Sequence, residues 1–168
     1  MKKRFLIRSL SFVLAAMVFS VLSACMLQAN NNTASEEQIA NRDYMTQANR
    51  IMDTLMVDLT GFNKAVSDED IVGMNDQADS ANKTINELAA LTPPNDLKDV
   101  HSEYVKGCEE LRDALRDYRD LYTEISSATE SQPFDYSTFD SRLSKIKQKY
   151  DSGISHLEKA DQKARDMT

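Results

Sequence analysis

Four stretches of this 168-residue chain place apolar side chains three and four positions apart, a spacing that admits little besides helices packed on one another. The first stripe is Tyr44, Ala48, Ile51, Leu55, Leu59, Phe62 and Val66. The second is Ile71, Met74, Ala78, Ala81, Ile85 and Leu88, a heptad-like seam whose small residues let a neighbouring helix come close. The third and most regular is Leu97, Val100, Tyr104, Cys108, Leu111, Leu115, Tyr118, Tyr122 and Ile125. The fourth is Phe139, Leu143, Ile146, Tyr150, Gly153, Leu157, Ala160 and Ala164. No strand-like alternation competes with them. The fold expected is all-α, an antiparallel up-down four-helix bundle over residues 35–168, with helices at about 36–66, 68–91, 95–127 and 137–166.

Punctuation between the stripes supports this division. Ser35 with Gln38 three residues on has the form of a capping box. Ser67, followed by Asp68, Glu69 and Asp70, is expected to cap the second helix, and Ser137 with Asp140 the fourth. Thr92-Pro93-Pro94-Asn95 breaks the chain before the third, and the linker around Pro133 is the longest loop. Gly61, inside the first stripe, is a place where fraying is expected to begin. Tyr104-x-x-Gly107-x-x-x-Leu111 recurs as Tyr150-x-x-Gly153-x-x-x-Leu157, which reads as a shared packing device in which glycine lets a tyrosine ring lie against a neighbouring backbone.

Ahead of the stripes the chain changes character. Lys2, Lys3, Arg4 and Arg8 precede an apolar run from Leu10 to Leu22, short for a membrane span and of the length of a signal h-region. The run ends in Leu22-Ser23-Ala24-Cys25. This tetrapeptide resembles the lipobox of bacterial lipoproteins. The resemblance implies removal of a signal peptide, residues 1–24, and a diacylglycerol thioether on Cys25. Two acyl chains hold a protein stably to a bilayer where one does not. An ordinary secretory signal or a retained N-terminal span are the alternatives. Residues 25–34 are polar and aperiodic and read as a tether reaching ~15–20 Å on random-coil scaling. The whole chain resembles small, helix-only bacterial lipoproteins of uncharacterised function, the stretch Pro93-Pro94-Asn95-Asp96-Leu97 leading to His101 and Tyr104 having the form of their helix starts. This implies an extracytoplasmic, membrane-anchored location: the cell surface in a single-membrane organism, the periplasm or outer membrane in a double-membrane one.

Charge narrows the partners. Of 20 basic residues, four fall in the signal segment, which leaves 16 against 27 acidic ones, about −11. Such a balance argues against nucleic acid and against an extended face lying on anionic lipid. The bilayer is therefore met through the lipid. The remaining partner is expected to be an envelope protein or polymer.

Catalytic chemistry is poorly represented, and the chain is read as a non-enzyme. Cys108, alone once Cys25 is lipidated, sits on an apolar stripe where a thiol is inert. His101 and His156 count out about ten residues apart in level, too far to share a metal. Met45, Met52 and Met56 lie in one arc of the first helix, a soft-donor pattern suited to Cu(I) and, more simply, to flexible core filling. Met45 with His156 has the residue types of a haem axial pair. No Glu-x-x-His element of a di-iron bundle occurs after Cys25. No cofactor beyond the lipid on Cys25 is expected. The function expected is a membrane-anchored binding or scaffolding module. A sensor or accessory subunit of an envelope complex is the first alternative, and a copper or haem carrier the second.

Overall fold

The computed structural model describes residues 35–167; Leu22, Ser23, Ala24 and Cys25 lie outside the described residues. Among the described residues four helices follow in order: α1 (Glu36–Ser67), α2 (Ile71–Ala89), α3 (Lys98–Ser127) and α4 (Phe139–Asp166), with single 3-10 turns at Asn95–Leu97 and Tyr136–Thr138. There is no strand among the described residues.

Side-chain pairings establish the topology. Between α1 and α2, Asp58 meets Thr84 and Gly61 lies against Gln77, so the two run antiparallel. Between α3 and α4, Tyr104 pairs with Asp161, Asp117 with Lys149 and Glu124 with Arg142, again antiparallel. Tyr44 meets His101, Met52 meets Cys108 and Phe62 meets Tyr118, pairs offset by 57, 56 and 56 residues. A constant offset means that α1 and α3 run parallel, the diagonal of an up-down-up-down bundle. The α3–α4 side is packed most closely and α1–α2 next, whereas α1 and α4 make little backbone contact.

The apolar stripes are the core. Every stripe position on α1 is buried, as is each on α3 together with Leu97, and Phe62, Leu111 and Leu121 are completely enclosed. Ile71, Leu143, Leu157 and Ala164 are partly buried at its margin. Phe134, in the α3–α4 loop, closes one end beneath Arg142, whose guanidinium lies 5.9 Å over its ring.

Two caps lie elsewhere than the sequence suggests. Ser67 is the last residue of α1, and Asp70 caps α2 by accepting from the Gly73 amide at 3.0 Å. For α4 the oxygen is that of Asp135, which accepts from the Ser137 amide at 2.9 Å and starts a 3-10 turn before the helix proper. The Ser35–Gln38 capping box is present as expected. α1 continues unbroken through Gly61 to Ser67.

The α1–α2 turn explains the displaced cap. The Glu69 amide donates to the Val66 carbonyl and the Asp70 amide to the Ala65 carbonyl, the hydrogen-bond pattern of a Schellman motif. Its left-handed position is held by Glu69, at φ 58°, where glycine is favoured. A side chain there carries ~1 kcal/mol of strain or more. Glu69→Gly is therefore expected to raise stability by roughly 0.5–1 kcal/mol, after the entropy glycine adds to the unfolded chain. A chemical denaturation curve checks it.

Candidate functional site

Buried polar chemistry concentrates on the first half of α3, at the end of the bundle where α1 begins. His101 and Tyr104 stand one helical turn apart and so share a face. His101 turns to α1: its Nδ1 lies 2.9 Å from the Tyr44 hydroxyl, and the two rings meet edge to face with centroids 6.0 Å apart. Tyr104 turns to α4 and donates its hydroxyl proton to Asp161 Oδ1 at 2.5 Å. Both tyrosines are almost wholly enclosed, at 4% and 3% exposure.

Enclosure sets the protonation states. Burial pushes the Tyr44 phenol up to about 12 and lowers the His101 imidazole below its usual range. The Tyr44 hydroxyl and a His101 ring that is neutral at neutral pH thus share a single hydrogen bond. Tyr104 is pushed up more strongly, by burial first and then by its bond to Asp161. Burial raises Asp161, against the Tyr104 hydrogen bond and the charge of Arg165, while Glu158 adds a small upward push.

A more exposed cluster borders this one. His156 Nδ1 lies 2.7 Å from Glu103 Oε2, its Nε2 faces Glu110 Oε1 at 3.9 Å, and Lys163 reaches Glu103 Oε1 at 3.0 Å. His156 and then Lys163 hold the Glu103 carboxyl down at about 2. The register of the α3–α4 pairs leaves His101 and His156 about nine residues out of level, close to the count made from the sequence, and the two imidazoles take different partners.

The soft donors are dispersed. Met45 and Met52 are partly buried at the core margin, while Met56 is 37% exposed. Met52 Sδ accepts from the Cys108 thiol at 3.9 Å. Cys108 is completely buried and its thiol is pushed up to about 12, chiefly by burial, so it persists as a packed SH group. Among the described residues no three His, Cys, Asp or Glu side chains are placed to hold a metal ion. The roles of Asp161 and Glu103 were missed in the sequence. The legible signal was a tyrosine on an apolar stripe, whose hydroxyl needs a partner when buried.

Because the His101 pKa is lowered in the folded state, the unfolded chain binds more protons between that value and about 6.5, so stability rises with pH in this window. Acidifying from pH 7.5 to pH 5 should lower the melting temperature, and His101→Gln should show a smaller fall. Thermal unfolding followed by circular dichroism at both pH values measures it.

No family model, curated protein or solved structure matches this chain.

Proposed function

We propose that the protein is a membrane-anchored lipoprotein of the cell envelope whose helical body is a non-enzymatic binding or scaffolding module. The observation that carries this reading is Leu22-Ser23-Ala24-Cys25 at the end of an apolar run, ten residues before Ser35, the N-cap of α1. Two further features support it. Among the described residues no helix is long and apolar enough to cross a membrane. The polar groups of α3 are engaged in joining helices, as a rigid ligand-presenting body requires. In the alternative role, as accessory subunit of an envelope complex, a signal would have to pass through a membrane partner.

Cys25→Ala tests the anchor. The variant is expected to leave the membrane fraction while keeping its helical circular dichroism. Membrane attachment that survives both the substitution and a high-salt wash would instead indicate a retained N-terminal span.

A further inference from the structure

We propose that residues 36–50, the opening turns of α1, are a strap that mild acid releases from the bundle, with Tyr44 and His101 as its latch.

The strap follows from helix lengths and register. α1 has 32 residues and α2 only 19. The contacts of Asp58 with Thr84 and of Gly61 with Gln77 bring Ala89, the last residue of α2, opposite about Ile51. Residues 36–50 therefore overhang the end of α2, and α1 makes little backbone contact with α4. Little holds the overhang. Tyr44 and Ala48 are its only buried residues, and alanine has little apolar surface to contribute. Among the described residues, the one side-chain hydrogen bond from this stretch to another helix joins the Tyr44 hydroxyl to His101 Nδ1, at 2.9 Å. A segment with so few buried contacts opens at a lower free energy than the core. Once free, it is close to the ~12–15 residues below which an isolated helix is marginal in water, so it unwinds.

The imidazole makes the latch sensitive to pH. A histidine in water takes up a proton near pH 6.5. Here the added charge would lie against the enclosed Tyr44 ring with no carboxylate to receive it. Burial alone lowers the His101 pKa, and the charged groups of the surrounding elements leave it untouched. Glu37, Arg42 and Asp43 on α1, Glu87 on α2, and Lys98 and Asp99 on α3 are all exposed. Glu103 is turned to His156 and Lys163, while Asp161 and Arg165 act on Tyr104. Opening the strap returns the ring to water and to its ordinary pKa, so the open form binds the proton more tightly. Docking is accordingly strongest above pH 6.5 and weakens as the pH falls from there toward the lowered, docked value. One proton changes the opening equilibrium by at most about tenfold per pH unit. Asp161 works in the opposite sense, because burial raises its pKa, but it joins α4 to α3 and leaves α1 out.

Release of the strap does not depend on the anchor, whereas its consequence rests on lipid at Cys25. Residues 36–50 then extend the tether of residues 25–34, and random-coil scaling takes its reach from ~15–20 Å to ~25–30 Å. Acid thus lets the body stand farther from the bilayer. The test is hydrogen exchange of the full chain, read by mass spectrometry at pH 7.5 and pH 5.5 and corrected for intrinsic rates. Peptides within residues 36–50 should lose protection by several-fold, up to about tenfold. Peptides within residues 57–67, which α2 holds, and those of α3 and α4 should keep theirs. His101→Gln retains a partner for the Tyr44 hydroxyl and should abolish the pH dependence. In the wild-type chain the His101 ring proton, followed by NMR, should titrate below pH 6.5, a readout that needs no variant. Equal loss of protection in all four helices overturns the proposal, as does no loss at all. So does a loss that persists in His101→Gln, or a His101 midpoint at or above 6.5. A strap that stays docked on a chain whose intact mass shows lipid at Cys25 rejects the strap alone, and release on a chain without lipid rejects the anchor alone.

Discussion

Gly107→Ala is expected to destabilise the protein by roughly 2 kcal/mol, although alanine is the better helix former by about 1 kcal/mol. A Cβ at Gly107 would stand 2.8 Å from the Gly153 carbonyl oxygen and 2.8 Å from Leu157 Cδ2. One at Gly153 would stand 2.8 Å from the Gly107 carbonyl oxygen and 2.9 Å from Leu111 Cγ. The contact is reciprocal: each glycine faces the other's backbone, and the leucine four positions beyond each lies against the opposite glycine. Backbone cannot yield as a side-chain end does, so α3 and α4 must separate along their most closely packed side. Gly61→Ala is the control. There the new Cβ meets Gln77 Oε1, the end of a flexible side chain that can swing aside, and the gain in propensity of ~0.5–1 kcal/mol should survive. Denaturant unfolding of the two variants should move in opposite directions.

Thr84→Val is expected to cost about 2–3 kcal/mol. Asp58 and Thr84 are each only 5% exposed, and the Thr84 hydroxyl donates to Asp58 Oδ2 at 2.9 Å between α1 and α2. Valine keeps the shape and removes the donor, leaving a buried carboxylate oxygen without its partner. Charge-assisted hydrogen bonds are the strong ones, and an uncompensated buried charge is penalised more heavily than the pair contributes. Asp58→Leu combined with Thr84→Val should therefore recover most of the loss. A double-mutant cycle by urea denaturation separates the coupling from the packing change.

Much of the fold was legible because burial follows the 3.6-residue period on every helix. Tyr44 to Val66 and Leu97 to Ile125 could be placed inside from spacing alone. What escaped depends on which helix faces which. Asp58 and Thr84 stand on the flanks of their stripes, and only the meeting of α1 with α2 encloses both. The repeated Tyr-x-x-Gly-x-x-x-Leu was visible, but its reason was not: leucine, rather than the tyrosine ring, lies against the facing glycine. The second cap was misplaced because Ser67, Asp68 and Asp70 are all competent caps. The tie is decided by the left-handed turn at Glu69, which chain-local preference disfavours. The buried polar site was legible residue by residue and not as a set. His101 could be seen one turn from Tyr104, whereas Tyr44 joins them only through the parallel offset of α1 on α3, and Asp161 only through the antiparallel pairing with α4.

The proposed function depends on lipid on Cys25 holding this helical body at a membrane. Intact-mass measurement of the protein extracted from membranes tests it most directly. The expected species begins at Cys25 and carries the added mass of a diacylglyceryl group on that residue. A membrane-extracted chain that retains residues 1–24, or one that begins at Cys25 without lipid, would contradict it.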